Sequence, residues 1–191
     1  MPEIGVFHDG PWPKVKNAHR GSLIIAGPGH TLLEDWAEVL GHKGDVMGVA
    51  AAGMFLPRMR HWYSSHGTWF PAWEAVRELN FRPVLDFYEK HASQGADNVD
   101  HRWPINGRYG RVAGLSASIV ACELGYQSVV LAGIPADGRG HFYPGLEHAE
   151  DFADYGDPYH KAIWEWLRDN YFAGRVKSLS GNTRQWLGAP I

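Results

Sequence analysis

The 191-residue chain contains a single cysteine, Cys122, and this excludes an intramolecular disulfide. The residue lies within an apolar helical pattern, so we interpret it as a small core residue rather than a nucleophile. A chain that uses so little cysteine fits a reducing compartment, and we expect a cytoplasmic protein.

An excess of basic residues is also missing. Lysine and arginine number 18 against 21 acidic residues, a formal net charge of -3, which argues against a dedicated nucleic-acid-binding protein. No segment approaches the length of a membrane span, and no basic stretch followed by an apolar run opens the chain. We therefore expect one globular domain, residues 1–191, without a membrane helix.

Several familiar catalytic motifs do not occur. The chain has no Gly-x-Ser-x-Gly elbow, no Walker loop and no quartet of zinc ligands. The dinucleotide-binding Gly-x-Gly-x-x-Gly is not completed, because position 32 is leucine. These absences argue against dinucleotide redox chemistry, and we expect neither a cofactor nor a metal.

The most informative segment that is present runs Ser-Leu-Ile-Ile-Ala-Gly-Pro-Gly-His-Thr over residues 22–31. It predicts a buried strand, a turn at Gly27 and Gly29, and a helix with Thr31 at its N-cap. Glycines let the backbone approach a ligand closely, and the N–H groups at a helix start attract anions. We take Gly27, Gly29, His30 and Thr31 as candidate nucleotide-binding residues, with a plain structural turn as the alternative.

Strand and helix patterns alternate along the rest of the chain, which predicts an α/β, Rossmann-like, mostly parallel sheet with helices on both faces. Residues 1–20 read as an irregular lead-in, 91–110 as loops around one short strand, and 137–157 as an acidic, lid-like loop. The predicted strands are 22–26, 45–50, 61–65, 82–87, 127–132 and 175–179. The predicted helices are 32–41, 51–59, 69–79, 113–124, 158–171 and 182–188.

Ligands of parallel α/β sheets bind beyond the carboxyl ends of the strands. That rule brings residues 27–31, 50–53, 64–66 and 133–137 to one rim. There His66 would meet a phosphate or a sugar, Gly133 would close a strand, and Asp137 would accept a hydrogen bond from a ligand hydroxyl. Surface turn residues are the alternative for both side chains.

His160 is the first candidate for a reactive side chain. It follows the acidic loop and begins a helix, two settings that shift an imidazole pKa in opposite directions, as suits a general base. A core or capping residue is the alternative. Tyr155 and Tyr159 flank it and would donate to a phosphate or simply pack.

The acidic loop admits a second interpretation. It contains possible metal ligands at His141, His148, Glu150, Asp151 and Asp154. Their spacing matches no tight metal-binding motif, so a solvated lid is the interpretation that we favour. Elsewhere, Trp62, Trp69, Trp73 and Trp186 with Leu187 would form either core or a surface for a homo-oligomer.

Three segments in order resemble one known group. They are Ile-Ile-Ala-Gly-Pro-Gly-His-Thr, then Ala-Cys-Glu-Leu-Gly-Tyr-Gln-Ser-Val-Val-Leu-Ala-Gly-Ile, and finally His160 before a helix that leads to Arg-Val-Lys-Ser-Leu-Ser. Together they resemble the Campylobacter-type bacterial sialyltransferases, over roughly residues 22–187. They also resemble the related DUF115 group, which includes a pterin diphosphokinase and small phage proteins.

The resemblance implies a metal-independent glycosyltransferase-like enzyme whose donor is a nucleotide-activated sugar, such as a cytidine monophosphate sugar. It implies His160 as the base, Tyr155 or Tyr159 as a phosphate ligand, and residues 27–31 facing the nucleotide. The chain has Ala50 and Ala113 where the family has asparagine and serine. These alanines favour an alternative, a non-catalytic nucleotide- or sugar-binding phage accessory protein; a pterin-type diphosphokinase is another.

Overall fold

The computed structural model describes residues 11–81, 87–95, 98–105, 112–142 and 158–191. They form a seven-stranded sheet in the order β5-β4-β3-β2-β1-β6-β7, in which every strand pair is parallel. The strands are β1 Ser22–Ala26, β2 Asp45–Val49, β3 His61–His66, β4 Glu89–Gln94, β5 His101–Arg102, β6 Ser128–Ala132 and β7 Val176–Ser178. The predicted parallel α/β fold is confirmed.

Helices connect the strands. They are α1 Leu32–Val39, α2 Phe70–Asn80, α3 Ala113–Leu124, α4 Pro158–Leu167 and α5 Gly181–Leu187, with 3-10 turns at Ala50–Met54 and Gly67–Trp69. The chain continues from α4 into a π-helical turn, Arg168–Phe172. Helix α3 has the predicted limits and is capped by Gly125, whose positive φ of 102° suits glycine.

The central strand β1 buries both of its faces. Leu23 and Ile25 join the core cluster that contains α3 and α4, whereas Ile24 and Ala26 belong to smaller clusters that include Trp36 of α1. Side chains alternate across a strand, so an unbroken apolar run requires cover on both faces. The predicted helices on both faces are therefore confirmed.

The largest difference from the sequence prediction lies at β4. A strand was expected at 82–87, of which 82–86 lie outside the described residues, and 91–110 was expected to be mainly loop. The structure has a six-residue strand at Glu89–Gln94, paired along β3. Its polar sequence, Glu-Lys-His-Ala-Ser-Gln, has little strand propensity, and pairing with β3 decides its conformation.

Smaller corrections concern helix starts and exposed apolar residues. Helix α5 begins at Gly181 with Ser180 as its N-cap, whereas the sequence predicted a helix that starts at Asn182. Although Leu33 and Leu40 belong to the apolar pattern at helical spacing that predicts a helix after residue 31, they are 68% and 72% exposed. The buried positions of α1 are Leu32 and Asp35.

The tryptophans considered as an oligomer surface have different environments. Trp62 and Trp186 are core residues and Trp69 is 58% exposed, so the predicted surface is not continuous. Among the described residues, no helix combines the length and apolar character that a membrane span requires.

Gly27 provides a test of the contact between β1 and β6. A Cβ at this position would lie 2.4 Å from Ile134 Cγ1 and 2.8 Å from the Gly133 carbonyl oxygen. We expect Gly27→Ala to lower the free energy of unfolding by about 2 kcal/mol, because the backbone carbonyl cannot move aside. Urea denaturation measures this change.

Gly41→Ala is the matched control, since no atom lies within 4 Å of the added methyl group. We expect its stability to equal or slightly exceed that of the parent chain. Equal stabilities for the two variants would contradict the close approach at Gly27.

Candidate functional site

Four strand ends meet at one edge of the sheet. Because β3, β2, β1 and β6 are consecutive neighbours and parallel, the segments that follow them leave from the same side. These segments begin at Gly27, Ala50, Gly67 and Gly133, with His66 exposed at the end of β3. We call this side the carboxyl edge; the topology brings the predicted rim segments together.

A buried carboxylate joins three parts of the carboxyl edge. Oδ2 of Asp35 accepts hydrogen bonds from the Ser180 hydroxyl at 2.6 Å, the Thr31 hydroxyl at 3.0 Å and the Gly133 amide at 2.8 Å. Asp35 is only 4% exposed, so these donors replace the water that its charge would otherwise require. The Thr31 side chain therefore serves this network and does not cap α1.

The glycine turn after β1 is covered by the segment that follows β6. The Gly29 amide donates to the Gly133 carbonyl at 2.8 Å, and the His30 amide donates to the Gly140 carbonyl at 3.1 Å. Gly29 also forms an isolated antiparallel bridge with His141. The expected phosphate contacts of the Gly29 and His30 amides are therefore not available in this conformation.

Side chains at the same turn form a compact charged group. His30 Nε2 lies 3.3 Å from Asp137 Oδ2, which also accepts from Arg139 Nη2 at 2.7 Å. The Arg139 side chain is 69% exposed, whereas that of Asp137 is 14% exposed. The structure thus brings together His30 and Asp137, two predicted site residues, and leaves an exposed guanidinium beside them.

His141 is a further histidine at the turn. Burial lowers its pKa to about 4, which leaves the imidazole neutral near pH 7. Sequence reasoning considered His141 only as a metal ligand of the acidic loop. Its position against Gly29 results from backbone pairing, for which the local sequence carries no signal.

Two alanines at the carboxyl edge have a left-handed backbone. Ala50 follows β2 with φ of 48°, and Ala136 lies beyond β6 with φ of 49°. Such values are unfavourable for a residue with a Cβ and are concentrated at functional sites. The Ala50 conformation is held in part by the Trp62 indole, which donates to its carbonyl at 2.7 Å.

Tyr159 and His160 occupy the first turn of α4. The helix leads through the π-helical turn Arg168–Phe172 to the start of β7. Tyr159 is 44% exposed, His160 is partly buried, and their ring centroids are 5.9 Å apart. This pair is distant in sequence from the His30 group. Tyr155 and residues 143–157 of the predicted lid lie outside the described residues.

A different cleft, of about 470 Å³, opens at the opposite edge beside Asp45. Its lining includes Arg20, His42 and Lys43. We give it lower priority as a ligand site because ligands of parallel sheets bind at the carboxyl ends of the strands.

Polar side chains also meet at the amino ends of the strands, which we call the amino edge. The Trp103 indole donates to His91 Nδ1 at 3.0 Å, and His91 Nε2 lies 3.0 Å from His61 Nδ1. His61 Nε2 lies 2.9 Å from the Tyr126 hydroxyl, which donates to Asp45 at 2.6 Å. An indole can only donate and a carboxylate can only accept, so the direction of every hydrogen bond in this series from Trp103 to Asp45 is fixed. Each imidazole then accepts at Nδ1 and donates from Nε2, and both are neutral.

The fold is that of a parallel α/β protein, a class in which ligands bind beyond the carboxyl ends of the strands. No protein-family model matches the chain, and no curated protein is significantly similar to it in sequence.

Solved structures of similar fold include two of a sialyltransferase. CstII from Campylobacter jejuni, in complex with the substrate analogue CMP-3FNeuAc, superposes with a TM-score of 0.58 at 14% identity, over 89% of this chain and 88% of that chain. A second CstII structure, with cytidine-5'-monophosphate, gives a TM-score of 0.55 at 15% identity, over 88% and 84%. The distant resemblance to Campylobacter sialyltransferases is confirmed at the level of fold.

The Asp35 network leads to a stability prediction. Replacement by asparagine removes the charge, so the three donors meet a neutral amide oxygen instead of a carboxylate oxygen. We expect Asp35→Asn to lower the free energy of unfolding by about 2 kcal/mol, measured by urea denaturation. Glu38→Gln, an exposed site on the same helix, should change it by less than about 0.5 kcal/mol. Equal effects of both substitutions would refute the role of the network.

The amino edge leads to a pH prediction. Burial lowers the pKa of His61 from 6.5 to about 3 and that of His91 well below its usual value. The unfolded chain therefore binds more protons than the folded chain between pH 6.5 and 3. Stability should fall as the pH is lowered through this window, by about 1 kcal/mol per unit for each histidine. The groups that face His61 are His19, Asp45, Arg60, Glu89, His91, His101 and Tyr126.

Unfolding free energies measured at several pH values test this expectation. The slope between pH 6.5 and 5 should be smaller in His61→Gln than in the parent chain. It should be unchanged in His42→Gln, because His42 is exposed. A parent chain as stable at pH 5 as at pH 7 would contradict the assignment of neutral, buried imidazoles.

Proposed function

We propose that the protein is a glycosyltransferase-like enzyme that transfers a sugar from a nucleotide-activated donor, with a cytidine monophosphate sugar as the first candidate. The observation that carries this proposal is the likeness of fold to CstII over nearly nine tenths of both chains, since that enzyme was solved with CMP and with a CMP-sugar analogue. The carboxyl edge, where four parallel strands end, is the surface on which the donor would bind.

The donor-binding group of the proposal consists of the predicted rim residues. Gly27, Gly29 and Gly133 form the close backbone contact between β1 and β6, and a Cβ at any of them would meet backbone carbonyls. His30 and Asp137 form a pair beside them, and His66 is exposed at the end of β3. Since the Gly29 and His30 amides already donate to carbonyls, we assign the phosphate and sugar contacts to side chains.

His160 is the proposed base. It removes the proton from an acceptor hydroxyl, whose oxygen then attacks the anomeric carbon of the donor sugar. The bond between that carbon and the phosphate oxygen breaks, and the nucleotide leaves with the electron pair. The partly exposed Tyr159 would donate a hydrogen bond to the departing phosphate, as would Tyr155, the other tyrosine that the sequence suggests for this role. No metal is needed for these steps.

The covered turn favours a second candidate, a non-catalytic nucleotide- or sugar-binding protein. The amides of Gly29 and His30 donate to carbonyls of the protein itself. Ala50 stands where the sialyltransferase family that the chain resembles has an asparagine after its second strand. Such a protein would bind a nucleotide and transfer nothing.

Nucleotide binding and transfer separate the two candidates. We expect CMP to raise the melting temperature of the protein more than AMP, GMP or UMP does. Incubation with CMP-sugars and a panel of acceptor saccharides should release CMP, and His160→Ala should lower the rate at least about 100-fold. Mass spectrometry of the products and a coupled assay for CMP measure the transfer.

Two comparisons make the result decisive. His42→Ala, an exposed histidine on the opposite side of the sheet, should leave the rate unchanged. CMP binding without transfer would favour the binding protein, and transfer that survives His160→Ala would remove the base assignment. Protein that responds to no nucleotide would overturn the proposal.

A further inference from the structure

Three potential metal ligands converge at the amino edge, away from the proposed donor site. His19, His61 and Glu89 each present a ligand atom, and these three atoms lie within 4.8 Å of one another. His101 adjoins them, with its Nε2 at 3.3 Å from Glu89 Oε2. We call these four residues the amino-edge cluster.

The register of the sheet brings these residues together. His61 and Glu89 are direct partners where β3 and β4 begin, and His101 begins β5. Partner residues in a parallel sheet point to the same face, so the imidazole and the carboxylate become neighbours. His19 reaches them from the segment before β1, and its ring centroid lies 4.9 Å from that of His61.

The carboxylate of Glu89 has an unsatisfied oxygen. Oε2 is inaccessible to solvent and accepts no hydrogen bond, although Glu89 as a whole is partly exposed. Histidine nitrogens surround this atom, with His101 Nε2 at 3.3 Å, His61 Nδ1 at 3.7 Å and His91 Nε2 at 3.9 Å. A buried carboxylate oxygen without a donor is unfavourable, and a cation held between it and the imidazoles would remove that cost.

The donor set is suited to one class of ion. Imidazole nitrogens with a carboxylate oxygen are the ligands of Zn²⁺ and of its spectroscopic substitute Co²⁺, whereas Mg²⁺ and Ca²⁺ prefer oxygen ligands alone. Two atoms bound to one Zn²⁺ lie at most about 4.2 Å apart, because each bond is about 2.1 Å long. Small rotations of the partly exposed His19 and Glu89 side chains would bring all three ligand atoms within this distance of one another.

His61 already uses both ring nitrogens. It lies 3.0 Å from His91 and 2.9 Å from the Tyr126 hydroxyl. Coordination through Nδ1, the nitrogen that lies 3.7 Å from Glu89 Oε2, replaces the neutral hydrogen bond from His91 by a bond to the cation, while protonated Nε2 keeps its contact with Tyr126.

We infer that the amino-edge cluster is a binding site for a divalent transition metal such as Zn²⁺, with His19, His61 and Glu89 as ligands and His101 as the adjacent fourth. The ion would join the segment before β1 to the starts of β3 and β4. It would stabilise the sheet from the edge opposite the proposed donor site and take no part in transfer.

Titration of the metal-free protein with Co²⁺ tests the inference. We expect a single equivalent to produce the visible absorption of four-coordinate Co²⁺, and Zn²⁺ to displace it and raise the melting temperature. Glu89→Gln and His19→Asn should each weaken Co²⁺ binding by about tenfold or more. The control is His42→Asn, which removes an exposed histidine from outside the cluster and should bind Co²⁺ as the parent chain does.

Circular dichroism establishes that each variant is folded before titration. If Glu89→Gln does not fold, His19→Asn, at a partly exposed position, still tests the site. The inference is overturned if the parent chain gives no four-coordinate Co²⁺ spectrum, or if the cluster variants bind Co²⁺ as tightly as the control. Failure of nucleotide binding or transfer would leave this result unaffected, because the two sites lie at opposite edges.

Discussion

The buried charge of Asp35 constrains the arrangement of the whole carboxyl edge. A carboxylate that is removed from water needs donors of suitable geometry, and here they come from the residue before α1, from the turn after β6 and from the residue before α5. Gly133 and Ser180 are separated from Asp35 by 98 and 145 positions in sequence. The ends of β1, β6 and β7 are therefore held in one geometry, on which the proposed donor site depends.

The same sheet carries polar networks at both ends, and the two differ in character. At the carboxyl edge a charged carboxylate is surrounded by hydroxyl and amide donors, and a second group of His30, Asp137 and Arg139 reaches solvent. At the amino edge neutral imidazoles form a hydrogen-bonded chain between an indole and a carboxylate. The carboxyl edge presents charged, accessible groups suited to a ligand, whereas the imidazoles of His61 and His91 at the amino edge are buried.

Prediction from sequence succeeded where the apolar pattern was strong. The run at 22–26 and the helix closed by Gly125 have the predicted limits, because unbroken burial and a left-handed glycine are local signals. It failed at β4, whose polar residues become a strand only through pairing with β3. The rim was predicted from strand order alone, but Asp35 and Ser180 were missed. In hindsight the spacing of Thr31 and Asp35, one helical turn apart, was the local signal that could have found the carboxylate.

The sequence by itself determined the parallel α/β architecture and the edge at which its glycine turn and Asp137 would meet, because hydrophobic periodicity and glycine positions act over a few residues. Tertiary structure decided that the Gly29 amide donates to Gly133, that His141 packs at the turn, and that His19, His61 and Glu89 converge. These contacts join segments that are distant in the chain, and their geometry follows from strand register and the need to satisfy buried polar groups. Strand register and the pairing of buried polar groups depend on residues far apart in the chain, so the local sequence does not indicate them.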